Sequence, residues 1–482
     1  MSLRQMIRFS ILAQKLGQAS RWRAAKVEAV QNRRLRKLLR YANAHCRFYR
    51  EKYRGIDLAR VDLSRLPPTN KEELMAGFDD VVSDRRVRQA DLEQFVADPA
   101  NLGRWYLDRY AVSHTSGSQG SPLLIVQDRR SLEILFATLS SRANPSGIPD
   151  VREGLRRLRQ PMRIAIIALH RGFYPSGAAF EFMPELMGRY VKMCRLSSQQ
   201  RDLIEQLNDF QPHAIVAYAS VLEALALEVG RLRLTELRQL GNSSEQLTER
   251  ARSRIEAAFR VPILNHFGTG ECLFLSEGCS THGGAHINSD WAVLEVVDDD
   301  YRPVPAGQFG TRILITNLAN RVQPFIRYEI GDRVQMSTSP CRCGNRLPRI
   351  ERIDGRTAEL FWVGDGARRQ YLTGVLFHSA VDSLREVREW QSVQLNRNHI
   401  EVRLEPLPHV RLTVETAERV LSCRLAELGL PASVTFQVKI VEKLATDTAT
   451  GKFRRMISLI GPPVDGDNPI VGGLVYPSAS RT

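Results

Sequence analysis

"RIAIIAL" (Arg163–Leu169) and "HAIVAYASVLEALALEVGRL" (His213–Leu232) decide the fold. Each opens as a short apolar run, and the second passes at Tyr218 into a leucine-rich stretch with helical spacing. A strand that feeds a helix and then another strand needs a crossover connection, and crossovers join parallel neighbours. Upstream, "LLIVQD" (Leu123–Asp128) followed by "SLEILFATLSSRAN" (Ser131–Asn144) has the same strand–helix order, which predicts membership of the same parallel α/β arrangement. Between Ile263 and Met336 the pattern turns β-rich, with "WAVLEVVD" and "RILITNL" separated by the turn-like "DDDYRPVPAGQFG".

The chain has 482 residues, 43% hydrophobic and 25% charged, which excludes disorder and leaves room for two or three domains. Its formal charge of +15 is concentrated at the start: Met1–Arg50 holds thirteen Arg and Lys against one acid, Glu28. Leu35, Leu38, Leu39 and Ala42 recur there at helical spacing, so the basic leader packs one face and solvates the other; nucleic acid or anionic lipid is the alternative partner. Residues 1–100 read as a helical basic region, in which "LPPTNKEEL" breaks at proline and restarts with a helix cap at Asn70. A core follows over 101–354, a smaller domain over 355–461, and a Pro/Gly-rich tail, expected to be loose, over 462–482. No apolar stretch approaches the roughly 18 to 20 residues of a transmembrane segment, and Arg8 breaks the signal-like "MIRFSILAQKLG". Seven cysteines, an odd count in a long chain, fit a reducing compartment, so a soluble cytoplasmic protein is expected.

"HTSGSQGSPL" (His114–Leu123) concentrates hydroxyls and glycines. It reads either as a solvated loop or as a backbone nest that wraps an anion. No Walker A pattern, complete Gly-x-Gly-x-x-Gly fingerprint, Gly-x-Ser-x-Gly elbow or His-Glu-x-x-His pair is present in the sequence, which removes the common NTPase, dehydrogenase, hydrolase and metalloprotease readings. "CSTHGGAH" and "CRCG" supply Cys279, His282, His286, Cys341 and Cys343, four of which could close a tetrahedral zinc site; reduced buried cysteines are the alternative.

An ordered series remains: "HTSGSQGSP" at 114, "SSEQLT" at 243, "FGTGE" at 267, "FIRYEIGD" at 325, "IDGR" at 353 and "TGKFRR" at 450. In this order, together with "LRKLLRYANAHCRFYREKY" from Leu35, it resembles the adenylate-forming superfamily, in particular the branch containing phenylacetate-CoA ligase and the CapK-type ligases. The resemblance implies an α/β fold with a large N-terminal adenylate-forming domain, a helical lead-in and a small mobile α+β C-terminal lid. It implies ATP-dependent activation of a carboxylic acid as its acyl-adenylate.

The roles implied by the resemblance follow the chemistry of in-line displacement at a phosphate. Ser116, Gly117, Ser118 and Gly120 would cradle the β- and γ-phosphates, with Gln119 and Ser121 standing where many relatives carry threonine and lysine. Phe267 would stack beside adenine within "FGTGE", Gly268 and Thr269 would line the nucleotide, and Glu271 would hold Mg2+; Gly270 replaces the usual hydroxyl residue. Ser244 and Glu245 stand where relatives have a Gly-Glu pair near the adenine. Asp332 would accept the ribose hydroxyls, Arg356 would face the nucleotide at the interdomain motif, where Ala358 departs from the usual acid, and Lys452 would bridge carboxylate and α-phosphate oxygens when the lid closes. Relatives with structural zinc imply Cys279, His286, Cys341 and Cys343 as the ligands, with His282 as alternate.

The expected function is therefore an acid–thiol ligase using ATP and Mg2+. Coenzyme A is the expected acceptor, and the pantetheine of an acyl carrier protein is the next. Tyr218 and Ala219, with Phe267 and Gly268, offer an uncharged lining suited to an apolar, aromatic acid. Adenylyl transfer that stops at an AMP adduct is the runner-up, and a relative that has lost catalysis and binds nucleic acid or membrane through the basic leader is the other class. No nucleic-acid partner is expected, and the oligomeric state is left open.

Overall fold

The computed structural model describes residues 3–115, 122–142, 159–168, 172–183, 185–198, 200–279, 281, 283–356, 361–363, 370–372, 374–446 and 453–460. The chain divides into two compact units, Met1–Ile330 with Val334–Ile353, and Gly331–Arg333 with Asp354–Thr482.

The first unit begins with three helices, α1 (Leu3–Ala19), α2 (Ala24–His45) and α3 (Arg47–Lys52). α2 buries Val27, Leu35, Leu38, Leu39 and Ala42, the face expected from spacing, while Arg33, Lys37 and Arg40 stay exposed. Tyr49, fully buried on α3, donates to the Pro324 carbonyl at 2.6 Å and so ties the leader to a distant part of the core. The Asn70 side chain accepts the Glu73 N–H at 2.8 Å and caps α4 (Lys71–Ala76), satisfying one of the donors a helix leaves unpaired at its start. Among the described residues no helix is long and apolar enough to cross a membrane.

Strands β1 (Tyr110–His114) and β2 (Leu124–Asp128) form an antiparallel sheet of their own, with Val112 opposite Val126. This corrects the expectation that Leu123–Asp128 joins the parallel arrangement. A run of apolar residues buried on both faces reads alike in either pairing, and only the short return from His114 to Leu124, too short for a crossover, separates the two.

The parallel sheet holds β3 (Met162–Ala168), β4 (Val191–Ser197), β5 (Ala214–Ala217), β6 (Gln239–Ser243) and β7 (Ile263–His266) in the order β4-β3-β5-β6-β7. Ala165, Ile167, Ile215 and Leu240 of the strands pack with Leu207, Leu222 and Ile255 of the helices Leu203–Phe210, Ala219–Leu227 and Glu249–Phe259. Beyond it lie β8 (Ser276–Gly278), β9 (Ala285–Ile287), β10 (Ala292–Val297), β11 (Arg312–Asn317), β12 (Tyr328–Ile330), β13 (Asp332–Met336) and β14 (Arg349–Arg356). They form an antiparallel sheet β10-β11-β12 and a second sheet β13-β14-β9-β8.

The second unit is α+β. β15 (Phe361–Val363) pairs with β16 (Gln370–Leu372), and β17 (Val387–Asn396), β18 (His399–Pro406), β19 (Thr435–Ile440) and β20 (Met456–Ser458) form the sheet β19-β18-β17-β20. The helices Gly374–Val381 and Val414–Glu427 complete a core of its own around Phe377, Trp390, Val402 and Leu421.

Candidate active site and metal centre

Three of the segments singled out in the sequence leave the carboxyl ends of three adjacent parallel strands. Tyr218 and Ala219 follow β5, Ser244 and Glu245 follow β6, and Phe267–Glu271 follows β7. Open parallel sheets bind their ligands at that edge, because the turns there are free to diverge around a guest. The three turns are pinned together. Asn242, fully buried on β6, donates to the Glu245 carbonyl at 2.8 Å and to Asn265 Oδ1 at 2.7 Å. Ser244 adopts φ +68°, the left-handed conformation that aims Glu245 back over the sheet.

Glu245 Oε2 accepts the Ser220 N–H at 3.0 Å, so a carboxylate expected near adenine sits on the first turn of the helix Ala219–Leu227, where the helix dipole favours negative charge. Burial pushes the Tyr218 phenol up to about 12, and the Glu245 carboxylate and Tyr174 phenol add to the shift. The surroundings of Tyr218 thus include one acid, which the sequence-level picture of an uncharged lining lacked. Ala219 is fully buried.

The turn Phe267–Glu271 is shaped by two glycines. A Cβ on Gly268 would lie 2.7 Å from the Leu273 carbonyl oxygen, an approach only glycine allows. A Cβ on Gly270 would lie 3.0 Å from Pro175 Cγ, 3.1 Å from Ile125 Cδ1 and 3.4 Å from Thr115 Cγ2. The missing hydroxyl residue before Glu271 therefore has a packing cause. Here the turn presses its backbone onto β2 and onto Thr115, the residue just before the hydroxyl–glycine stretch. The Ser276 hydroxyl donates to the Phe267 carbonyl at 2.8 Å, and Phe267 itself is 9% exposed. Thr269 and Cys272 exchange backbone hydrogen bonds at 3.3 and 3.0 Å. Glu271 is 8% exposed, and its carboxylate accepts the Tyr328 hydroxyl, which burial first and that carboxylate second push well above the usual tyrosine range.

The stem below the hydroxyl–glycine stretch is closed. Thr115 N–H donates to the Leu123 carbonyl and Leu123 N–H to Thr115 Oγ1, both at 3.0 Å, and His114 N–H donates to Phe173 O at 2.8 Å. Ser116, Gly117, Ser118, Gln119, Gly120 and Ser121 lie outside the described residues, as do His282, Ala358 and Lys452. Asp332, 8% exposed, opens β13 and Arg356 ends β14; both belong to the second unit.

Sequence reasoning missed Tyr328 and a set of fully buried amides, Asn317, Asn320 and Gln323. Asn317 Nδ2 donates to the Glu271 carbonyl at 2.7 Å. The signal was present in "NLANRVQPF", three amides at spacings of three in a segment otherwise apolar apart from Arg321, but polar amides read as loop.

Cys279, His286, Cys341 and Cys343 converge, with their ligand atoms all within 4.8 Å of one another. Cys279 Sγ lies 3.6 Å from Cys341 Sγ, and Cys343 Sγ 3.3 Å from His286 Nε2. Tetrahedral zinc with bonds of about 2.3 Å to sulfur and about 2.0 Å to nitrogen puts its ligands roughly 3.5 to 3.8 Å apart, so the donor set fits zinc. His286 Nδ1 meets the Leu347 carbonyl at 3.1 Å. A carbonyl only accepts, so Nδ1 carries the proton and Nε2 is left as the ligand atom. Gly284, at φ +65°, permits the turn, since a Cβ there would collide with the Ile350 carbonyl oxygen. Among these four, burial pushes the Cys341 thiol up to about 12.

No protein-family model matches the chain. It is similar to phenylacetate-coenzyme A ligase of Thermus thermophilus, 25% identical over 354 residues that cover 70% of this chain and 71% of the relative. Protein CapK of Staphylococcus aureus is 26% identical over 208 residues, 42% of this chain and 43% of CapK. Among solved structures, 2-hydroxyisobutyryl-CoA ligase, crystallised in its postadenylation state with an acyl-AMP, superposes with a TM-score of 0.69 at 19% identity over 91% of this chain and 90% of that one. The anthranilate CoA ligase AuaEII with anthranoyl-AMP gives 0.50 at 17% identity over 71% and 65%. Sequence relatives and fold agree with the ordered motifs and their place on the sheet edge: the chain is similar in sequence to phenylacetate-CoA ligase and CapK, and it shares the fold of 2-hydroxyisobutyryl-CoA ligase.

Proposed function

We propose that the protein is an AMP-forming acid–thiol ligase. In the first step a carboxylate oxygen bonds to the α-phosphorus of ATP and the bond to pyrophosphate breaks, giving an acyl-adenylate. In the second a thiolate attacks the acyl carbon and AMP leaves. Coenzyme A is the thiol favoured by phenylacetate-coenzyme A ligase and by the two structural neighbours named above as CoA ligases; an acyl carrier protein is the second choice.

One observation carries the reading: the Phe267–Glu271 turn lies on the stem of the hydroxyl–glycine stretch through Gly270, Thr115 and Ile125. Two motifs separated by more than 140 residues thus become one wall, with a buried carboxylate at its end. In that arrangement Ser116, Gly117, Ser118 and Gly120 supply donors to the β- and γ-phosphates, and Phe267 offers a flat face for a base. Glu271 is the hard oxygen donor that Mg2+ takes, and the metal's charge would offset that of the triphosphate. Asp332 and Arg356 serve the ribose and phosphate, and Lys452 neutralises charge on the α-phosphate as it is attacked. The acid rests against Tyr218 and Ala219 and is apolar, with an aromatic acid the first to try.

Cys279, His286, Cys341 and Cys343 hold a structural zinc that braces β8 and β9 and takes no part in the chemistry. A cysteine-rich ligand set of this kind suits a reducing, cytoplasmic setting.

The test is acid-dependent exchange of pyrophosphate into ATP, screened over aromatic and aliphatic acids, followed by thioester formation with coenzyme A. Exchange with at least one acid, abolished in Lys452→Ala with the fold retained, supports the reading. No exchange with any acid overturns it.

A further inference from the structure

Among the described residues β2 has one strand neighbour, β1, yet Leu124–Gln127 are all buried. Buried backbone donors and acceptors must be paired, so something replaces the absent strand. Two side-chain amides do. Gln323 Oε1 accepts the Val126 N–H at 2.8 Å, Gln323 Nε2 donates to the Leu124 carbonyl at 2.9 Å, and Asn320 Nδ2 donates to the Val126 carbonyl at 2.9 Å. Both side chains are completely buried. Asn317, whose amide oxygen accepts the Asn320 N–H at 3.2 Å, uses its own nitrogen to hold the Glu271 carbonyl.

One run of seven residues, Asn317–Gln323, therefore grips two things at once: the strand that carries the hydroxyl–glycine stretch back into the core, and the backbone of Glu271. We propose that Asn320 and Gln323 are positioning residues that set β2, and with it the stem Thr115–Leu123, at the separation from Glu271 that a metal-bound triphosphate requires. This rests on the ligase reading above. Neither residue touches nucleotide. They act through the strand: the ladder to β1 fixes β2 only relative to β1, and the directional bonds from Asn320 and Gln323 tie that pair to the segment that holds the Glu271 backbone.

The consequence is selective. In the ligase reading ATP meets the hydroxyl–glycine residues with its β- and γ-phosphates, whereas AMP has neither. In Gln323→Leu, which is similar in bulk and leaves the Val126 N–H and Leu124 carbonyl unpaired, the Kd of Mg2+-ATP measured by calorimetry rises about tenfold while that of AMP changes less than about twofold. Gln323→Glu keeps the acceptor for Val126 and loses the donor to Leu124, so the same split appears at a few-fold; this variant carries the test if the leucine variant does not fold. Folded variants in which ATP and AMP weaken together, or in which neither changes, overturn the proposal while leaving the ligase reading standing. A wild-type protein that binds neither ATP nor AMP overturns both.

Discussion

Arg455 and Glu389 form a buried two-point ion pair, Nε to Oε1 at 3.0 Å and Nη2 to Oε2 at 2.6 Å, three residues beyond Lys452 in sequence. The side chains are 9% and 6% exposed. Around them the backbone is fixed as well: Ser392 N–H donates to the Arg455 carbonyl at 2.7 Å, Gln391 Nε2 to that of Arg454 at 2.9 Å, and β20 then pairs in parallel with β17. Removing one partner of a buried pair strands the other charge, at a cost of about 3 to 5 kcal/mol. Glu389→Ala is therefore expected to lower stability by a few kcal/mol in denaturant melts, and Glu389→Ala with Arg455→Met to recover much of the loss, since no charge is then left alone. A double variant whose loss equals the sum of the two single losses would show that the pair does not couple.

Gly270 makes a sharper claim about sequence departures. Restoring a hydroxyl residue with Gly270→Ser places a Cβ 3.0 Å from Pro175 Cγ and 3.1 Å from Ile125 Cδ1, tighter than side chains tolerate without movement. Overpacking of this kind costs about 1 to 3 kcal/mol. The variant should melt earlier and lose exchange activity, and Gly270→Ser with Ile125→Val should regain part of both. A serine variant more active than the wild type would mean that the turn has room for the hydroxyl after all.

Much of the fold is legible in residue order because local rules act there without competition. The α2 face, the Asn70 cap and the parallel strands β3 and β5 follow from spacing, a side-chain oxygen and strand–helix alternation. Distant pairings are where legibility ends. The antiparallel partner of β2 is invisible because Leu124, Ile125 and Val126 are buried whichever way the strand is used. The amide clamp is invisible because asparagine and glutamine announce turns, and only tertiary structure reveals that a strand edge awaits them. Glu245 enters the reading through the ordered motifs, and no local signal discloses that the helix Ala219–Leu227 brings its first N–H groups alongside.

Tyr218 gives a prediction with a definite sign in pH. Its phenol is raised to about 12 by burial and by the neighbouring Glu245, against roughly 10 in the unfolded chain. A raised acid is protonated over a wider range when folded, so the stabilisation is complete below about pH 10 and is lost as pH climbs towards 12. Tyr218→Phe should therefore lose less stability than the wild type across that interval. Spectrophotometric titration at the phenolate band should show one fewer tyrosine ionising near pH 12. A tyrosine at 218 that titrates like free tyrosine would place it in water, away from the acid pocket.

The Cys–His cluster predicts composition as well as stability. Purified protein should carry close to one zinc per chain by elemental analysis, and Cys341→Ser and Cys343→Ser should each abolish it. Three ligands remain in either variant, but serine is a poor, largely protonated oxygen donor, and a closed structural site needs all four. Because the four residues join the β8–β9 hairpin to the Cys341–Gly344 turn, metal loss should lower the melting temperature of wild type and leave the serine variants, already metal-free, unmoved by chelator. The adenylation step should decline only as far as the protein unfolds. Full stability in chelator, or exchange activity that tracks zinc content at constant fold, would remove the purely structural role.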